Sequence, residues 1–495
     1  MRYFVRDKVL ELLSTLKEAI DYINHKALEE CLFVMEDMQA GLDSIHNTFQ
    51  SAFTVATFSK YEEIVRAIEV QLSMVREKKE NQQTAYKEVK QIKYFIDQLQ
   101  TDLLDEAEVK LEVLFIPYKF SMWDSLESIW LAAEADPRCN SRVMPIPYYD
   151  RDENGLLADF HYEVDSFMKH DIPVVSYKEY DYTVIQPDVI YYHNPYDGNN
   201  RVTSVSPEFY SDKLKHYTNM MVYVPYFVAG NYKGIEKERS FARAPGLINA
   251  DKVILQSEVL KNVYIELGAN PNKMEVLGSP KLDSIYNLEK KAHIPSNWQK
   301  LNDKKVTLLN SSIGDFLKEN NYLSDLRQNI ENILSNDELG LIWRPHPLFE
   351  TTIKSMKTDK ALEYKAIKKL VSAHPNAIID NNEDMLSAFY FSDALVSDSS
   401  SLIYLYIMTG KPVYILYTDP KQVEKTLLYS DYLSCYFEKE LELHEFLGLL
   451  KEGRDPQGKK RYDNFRKSII NSDGTSGKKI YDCIIKEMEG RTVLN

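Results

Sequence analysis

The sequence predicts an α/β protein with two doubly wound domains behind an N-terminal α-helical arm. Up to residue 105, Gly41 is the only glycine or proline, which favours long helices. From residue 111, short apolar runs alternate with helical segments, a pattern typical of a parallel sheet covered by helices. The alternation restarts near residue 305, which predicts a second domain of the same kind.

Composition narrows the class of protein. The chain has 495 residues, of which 44% are hydrophobic, and a formal net charge of −15. That charge argues against nucleic-acid binding. Four cysteines without a CxxC pair argue against a disulfide framework or a zinc site. No apolar run reaches the ~18 residues of a membrane span, so the expected location is cytoplasmic.

The first predicted unit, residues 1–105, is helical. Apolar residues recur every three or four positions from Leu13 to Ile45 and again from Ile64 to Leu103. This spacing predicts a helical hairpin or coiled coil, with arms on the order of 50 Å long. We expect such an arm to hold copies of the chain together as a homo-oligomer.

Two Rossmann-like domains are predicted to follow, at residues 106–290 and 291–495, joined by the polar segment 283–304. The strands of the first are LEVLFIPYKF, RVMPIPYY, IPVVSY, PDVIYYH, MMVYVPYF, DKVILQS and MEVLGSP. Those of the second are KVTLLNSS, GLIWRPHP, NAIID, DALVSDSSS and KPVYILY. Two such domains facing a cleft make the GT-B architecture.

Open α/β sheets bind ligands beyond the carboxyl ends of their strands, so residues there are the site candidates. His193 follows the run PDVIYY and is a candidate general base, because the pKa of histidine lies near neutrality. Arg344 and His346 end another run and suit a pyrophosphate, since guanidinium groups bind phosphate oxygens as a planar fork. The structural alternative at each place is a turn.

Hydroxyl-rich segments form the second group of candidates. Ser397–Ser401 (SDSSS) precedes an apolar helix, where hydroxyls and backbone N–H groups can bind phosphate. Asn310–Ser312 is another phosphate-loop candidate. Ser472–Gly477, which includes Asp473 and Gly474, opens the last helix among basic residues and favours contact with an anionic substrate or membrane. Plain helix capping is the structural alternative.

Several common motifs are missing from the sequence. It contains no GxGxxG, no GxxxxGK[ST] and no GxSxG, which argues against simple dinucleotide, P-loop and α/β-hydrolase interpretations. No DxD-type metal motif follows a strand. We therefore expect a metal-independent reaction without a cofactor.

Four short motifs in order resemble the CDP-glycerol glycerophosphotransferase family, which primes and extends teichoic-acid chains. The resemblance covers roughly residues 112–490. The motifs are LGSPKLD (277–283), RPHP (344–347), SDSSS (397–401) and DGTSGKKIYDCI (473–484). The sequence departs from the family pattern at Tyr192-His193-Asn194, where the family has Trp-His-Gly, and at Ser399 and Lys281, where it has Tyr and Arg.

The resemblance implies transfer of a polyol phosphate, glycerol phosphate in the first place, from a CDP-activated donor to a lipid-linked or glycopolymer hydroxyl, with release of CMP. It implies His193 and His346 as catalytic residues and a peripheral location at the plasma membrane's inner face. The implied donor-binding residues are Ser279, Lys281, Asn310, Ser311, Ser312, Arg344, Asp398, Ser399, Ser400 and Ser401.

Two other functions stay open at this point. A GT-B sugar transferase that uses a nucleotide sugar would have the same fold. A catalytically degenerate GT-B scaffold, with the helical arm as its working part, would tolerate loss of His193 and His346.

Overall fold

The computed structural model describes residues 1–26, 31–77, 82–152, 154–200, 202–229, 241–346, 349–382, 385–419 and 434–494. Pro347 of the RPHP motif lies outside these residues. The N-terminal region has the helices α1 (Tyr3–Asn24), α2 (Leu32–Ala52), α3 (Val55–Glu77) and α4 (Gln82–Leu104).

These four helices pack as a bundle in which each helix contacts the next and α4 closes back on α1. The N-terminal ammonium group donates to the carbonyls of Ala52 and Glu108, so the start of α1 lies at the ends of α2 and α4. The predicted helical character is confirmed, but the prediction of two long arms is wrong. The apolar spacing continues from Ile23 to Cys31 without glycine or proline, so nothing in the sequence marks the end of α1.

The first domain contains β1 to β9. The strands are β1 (Leu111–Phe115), β2 (Cys139–Val143), β3 (Tyr148–Arg151), β4 (Leu157–His161), β5 (Val189–Tyr192), β6 (Thr203–Val205), β7 (Met220–Tyr223), β8 (Lys252–Leu255) and β9 (Met274–Val276). Its helices are α5 (Glu127–Glu134), α6 (Val164–Lys169), α7 (Tyr182–Ile185), α8 (Ser211–Leu214), α9 (Pro245–Asn249), α10 (Glu258–Glu266), α11 (Pro280–Tyr286) and α12 (Leu288–Lys291).

Six strands of this domain form a sheet in the order β2-β1-β5-β7-β8-β9, with every pair parallel. A separate antiparallel sheet has the order β4-β3-β6. The strand predicted at IPVVSY is absent, because Pro173 has no N–H to donate and the segment pairs with β2 only through a bridge between Val143 and Val174.

The second domain has the strands β10 (Lys305–Ser311), β11 (Leu339–Pro345), β12 (Ala377–Ile379), β13 (Ala394–Ser397), β14 (Val413–Ile415) and β15 (Tyr436–Phe437). Its helices are α13 (Ile313–Lys318), α14 (Tyr322–Leu334), α15 (Phe349–Met356), α16 (Ala361–Ala373), α17 (Leu386–Phe391), α18 (Leu402–Ile407), α19 (Leu443–Lys451) and α20 (Gly458–Ser468). The all-parallel sheet order is β12-β11-β10-β13-β14-β15. The predicted α/β class with two parallel sheets is confirmed.

The final helix, α21 (Ser476–Leu494), returns to the first domain and packs on α5. The Tyr481 hydroxyl of α21 donates to the Asp136 carboxylate. The start of α21 is held by Asp283, whose carboxylate accepts hydrogen bonds from the N–H groups of Ser476 and Gly477 at 3.2 and 2.8 Å. The chain therefore crosses between the two sheets a second time. The division at residues 105 and 290 remains an interpretation.

The strand orders locate the crevice of each sheet. In the first sheet the chain leaves β1 for β2 and later returns on the other side of β1, at β5. In the second sheet β10 lies between β11 and β13 in the same way. Ligands of doubly wound folds bind at such a reversal, beyond the carboxyl ends of the two strands. The candidate residues should therefore follow β1, β5, β10 and β13.

Candidate functional site

The last residues of β10 and β13, and the loops that follow them, are joined to each other at the reversal of the second sheet. The side-chain amide of Asn310 donates to the Ser397 hydroxyl at 3.0 Å. The N–H of Ser312 donates to the Asp398 carboxylate at 2.6 Å. Two segments predicted separately from the sequence thus form one surface, held by hydrogen bonds between them.

Asp398 is the most buried charged group in this surface, with no exposed area. The hydroxyl of Tyr322, the first residue of α14, donates to the same carboxylate oxygen at 2.5 Å. Burial raises the pKa of Asp398 to about 7, while the hydrogen bonds from Tyr322 and Ser312 oppose that rise. The Asp398 carboxylate therefore holds the two loops together from their buried side.

The three serines that follow Asp398 lie nearer to solvent. Ser399 and Ser401 are exposed, and Ser400 is half-buried. The N–H of Ser399 donates to Asp315 in α13 at 2.9 Å, and the hydroxyl of Ser400 accepts from the N–H of Leu402 at 3.2 Å. Ser399 and Ser401 are thus more accessible to solvent than Ser400.

The end of β11 holds the two other candidates of this domain. Arg344 is only 8% exposed, and its guanidinium group donates to the Asp380 carboxylate and to the Asn382 carbonyl. The N–H of His346 donates to the Ser311 carbonyl at 2.9 Å, which places His346 beside the β10 loop. Partial burial lowers the pKa of the His346 side chain.

His193 lies at the reversal of the first sheet and is fully buried. Its Nε2 atom accepts from the N–H of Tyr118, which follows β1, at 3.3 Å. Its Nδ1 atom is 3.1 Å from the Ser125 hydroxyl, which itself donates to the Met122 carbonyl at 2.7 Å. Because the Ser125 hydroxyl donates its proton to the Met122 carbonyl, it can only accept from Nδ1. Nδ1 therefore carries the imidazole proton, and Nε2 is the basic nitrogen.

The charge state of His193 follows from its surroundings. Burial, and then the nearby charge of Lys281, lower the pKa of His193 to about 3. Lys281 is itself 8% exposed and donates to both carboxylate oxygens of Asp124, at 2.7 and 2.5 Å. Because its pKa is about 3, the imidazole of His193 is neutral in this structure. Ser279, at the start of α11, is 4% exposed.

Contacts within the protein fix the Asp473-Gly474 segment, whose contact with an anionic substrate or membrane stays a prediction. The Thr475 hydroxyl donates to the Asp473 carboxylate at 2.5 Å. Gly474 has φ +84°, and a Cβ atom there would lie 2.5 Å from Cδ1 of Tyr286. This segment and the LGSPKLD motif meet where Asp283 caps α21.

Sequence reasoning missed several partners of the candidate residues, namely Tyr118, Ser125, Asp315, Tyr322 and Asp380. Each lies far along the chain from the residue it contacts and in an unremarkable sequence context. Asp380 and Tyr118 have a positional signal, because they follow β12 and β1 at the carboxyl edges of the two sheets.

Within the described ranges, no three His, Cys, Asp or Glu side chains are grouped so that they could hold a metal ion. In the same part of the chain, every helix is too short or too polar to cross a membrane.

Comparison with solved structures shows the fold. The chain is similar to a putative UDP-N-acetylglucosamine 2-epimerase from Listeria monocytogenes, with 16% identity, a TM-score of 0.52 and coverage of 77% of this chain and 98% of that one. It is also similar to the wall teichoic acid polymerase TagF, with 16% identity, a TM-score of 0.48 and coverage of 89% and 99%. No curated protein sequence matches the chain.

Comparison with protein families gives the function. Residues 231–486 match the family described as CDP-glycerol:poly(glycerophosphate) glycerophosphotransferase. This match covers more than half of the chain and includes all four motifs of the resemblance. The chain therefore belongs to the CDP-glycerol:poly(glycerophosphate) glycerophosphotransferase family and is a transferase of glycerol phosphate from CDP-glycerol.

Proposed function

We propose that the loops after β10 and β13 bind the CDP-glycerol donor and that the loops after β1 and β5 bind the acceptor. The observation that carries this assignment is the hydrogen bond from the Ser312 N–H to Asp398, which makes one surface of two hydroxyl-rich loops at a sheet reversal. Backbone N–H groups and hydroxyls at such a place suit a pyrophosphate.

The proposed reaction is a single displacement at phosphorus. An acceptor hydroxyl oxygen attacks the phosphorus that carries the glycerol and forms a new P–O bond. The bond from this phosphorus to the bridging oxygen breaks, and CMP leaves with the electron pair. The acceptor proton passes to a base, for which we propose Nε2 of His193.

For His193 to act as the base, substrate binding has to raise its pKa and release its Nε2 atom from the Tyr118 N–H. In the structure, its Nε2 atom is occupied by the Tyr118 N–H and its pKa is about 3. A bound pyrophosphate brings negative charge to the site, which raises the pKa of a nearby imidazole. The hydroxyl of the acceptor would replace the Tyr118 N–H as the hydrogen-bond partner of Nε2.

On the donor side, we propose that His346 and the hydroxyls of Ser399, Ser400 and Ser401 stabilise the negative charge that grows on the leaving CMP. Arg344 donates one hydrogen bond to Asp380 and one to Asn382, which hold the end of β11, and thereby His346, in place. We propose that its other N–H donors bind the phosphates of the donor. Donor binding by Ser279 and Lys281 stays a prediction, and Lys281 lies close enough to His193 for its charge to lower the pKa of that imidazole.

The acceptor and the cellular location belong to the same proposal. The family description supports a poly(glycerophosphate) acceptor. We propose a teichoic-acid-type chain on a lipid carrier, reached from the inner face of the plasma membrane. The homo-oligomer remains a prediction. The apolar residues that prompted it pack inside the four-helix bundle, so contacts between copies would use its outer surface.

The test is CMP release by the purified chain with CDP-glycerol, with and without poly(glycerophosphate). We expect release that depends on the acceptor and falls by about a hundredfold or more in His193→Ala and in His346→Ala. His444→Ala, an exposed histidine on α19, is the matched control and should keep full activity. Full activity in both site variants would overturn the roles of the two histidines. The absence of release from any donor would support the scaffold alternative, and release only from a nucleotide sugar would support the sugar transferase.

A further inference from the structure

A cavity of about 370 Å³ lies near His193 at the carboxyl edge of the first sheet. Its lining includes Tyr196, Asn199, Asn200, Tyr226 and Arg243. The ring centroid of Tyr226 is 6.1 Å from that of His193, so a residue that lines the cavity also packs against the histidine. Its volume lies in the usual range for a small-ligand site.

The walls of this cavity are held by short contacts between the loop after β5 and the start of α9. The N–H of Gly246 donates to the Pro195 carbonyl at 2.8 Å. A Cβ atom on Gly246 would lie 2.8 Å from Cα of Pro195, so only glycine permits this approach. The Tyr192 hydroxyl closes the same junction by donating to the Gly246 carbonyl.

The other side of the loop is fixed as well. Asp197 has φ +50°, and its carboxylate accepts from the N–H and the hydroxyl of Ser211 at 3.0 and 2.6 Å. The side chain of Asn249 donates to the same hydroxyl at 2.8 Å. The cavity is therefore formed before any ligand binds, which reduces the ordering cost of binding.

The lining presents hydrogen-bond donors and one cation. Arg243 is exposed and forms no ion pair within the described ranges. The side-chain oxygen of Asn200 accepts from the N–H of Val202 at 2.9 Å, which leaves the amide hydrogens for a ligand oxygen. The Tyr196 and Tyr226 hydroxyls are hydrogen-bonded to each other. An arginine with amides and phenols suits a phosphate joined to a polyol.

We propose that this cavity binds the acceptor's last phosphodiester, one unit before the attacking hydroxyl, with Arg243 on the phosphate and the asparagine amides on the glycerol oxygens. The inference rests on the proposed placement of the acceptor next to His193. It adds a reason for acceptor selection: an acceptor end with a phosphodiester one unit back binds well, whereas a free polyol lacks the group that Arg243 holds.

The kinetic test compares Arg243→Ala with the unaltered chain on a short poly(glycerophosphate) acceptor. We expect the KM for the acceptor to rise about tenfold or more, because a charge-assisted hydrogen bond is lost, while the KM for CDP-glycerol stays unchanged. Arg243→Lys should lie in between, since it keeps the charge and loses the fork. Lys213→Ala, an exposed cation on α8, is the control and should behave like the unaltered chain.

A binding measurement separates this inference from the proposed function. Calorimetry with the short poly(glycerophosphate), and with glycerol as the uncharged comparison, should show binding of the first alone, weakened in Arg243→Ala. An unchanged affinity and acceptor KM in Arg243→Ala would overturn the inference, as would a rise in the donor KM alone. If the unaltered chain released no CMP, the proposed function would fail and the calorimetry would still decide whether Arg243 binds the phosphodiester.

Discussion

The hydroxyl of Tyr322 donates a hydrogen bond of 2.5 Å to the carboxylate of Asp398, within a part of the second domain that excludes solvent from Asp398. The contact joins the first turn of α14 to the loop after β13. It places a titratable group whose pKa is raised to about 7 directly beneath the proposed donor surface.

Asp398 should make the stability of the protein depend on pH. Its pKa is about 7 in the folded chain and 3.8 ordinarily, so between these values the folded state binds the additional proton. Its contribution is therefore fully present below pH 3.8 and is lost as pH rises through 7. In Asp398→Asn, urea unfolding should show a smaller fall of stability across this window. An identical pH profile in both proteins would contradict the assigned pKa.

His193 should remain neutral in the free enzyme well below the ordinary pKa of histidine. Burial lowers its pKa to about 3, so the unfolded chain takes up a proton that the folded chain does not. Stability linked to His193 is thus present above its ordinary pKa of 6.5 and is lost as pH falls toward 3. Nitrogen NMR of ¹⁵N-histidine-labelled protein, assigned with His193→Gln, should show no titration of this ring between pH 7 and 5. A midpoint near 6.5 would speak against the buried neutral state.

Removal of Arg344 should act first on stability. Its guanidinium group pairs with Asp380, whose side chain has no exposed area. Arg344→Ala leaves that carboxylate buried without its partner, at a cost of about 3 kcal/mol or more. Urea unfolding measures the loss. Arg327→Ala breaks an exposed pair with Glu331 and is the control, expected to cost well under about 1 kcal/mol. Similar losses in both variants would exclude the structural role of Arg344.

Gly474 and Gly453 offer a matched pair for the segment that precedes α21. Both have positive φ, +84° and +66°, but a Cβ atom on Gly474 would collide with Tyr286 whereas one on Gly453 meets nothing. Gly474→Ala should therefore lower stability by more than Gly453→Ala, which carries only the backbone cost of about 1 kcal/mol. Tyr286→Ala, added to Gly474→Ala, should recover the difference, since Tyr286 is 58% exposed. Equal losses of stability in the two glycine variants would show that Tyr286 moves aside without a cost in stability.

The fold could be predicted where strands are buried on both faces. The runs at β10, β11 and β13 are continuous and apolar, so position and type followed from the sequence. Strand β4 was missed because nearly all of its residues are exposed, and β15 because it has only two residues. The turn after Asn24 was missed because the apolar spacing continues through it.

The candidate site could be predicted in part for a similar reason. Positions after strands identify which residues reach the carboxyl edge, and the two hydroxyl-rich segments do meet there. Which of them face a ligand depends on partners distant in sequence. Phosphate binding by Arg344 stays a prediction, and its partner Asp380, 36 positions away, could not be predicted from the sequence.

The return of α21 to the first domain limits how the two halves can move. The backbone joins them once after α12 and again between α20 and α21, where Asn471 also donates to the Leu277 carbonyl at 2.9 Å. With a single connection, the two halves could rotate relative to each other in any direction. Two connections define one rotation axis, so opening and closing should be a rotation about the line between them. The carboxyl edges of both sheets would then meet in one fixed alignment at every turnover.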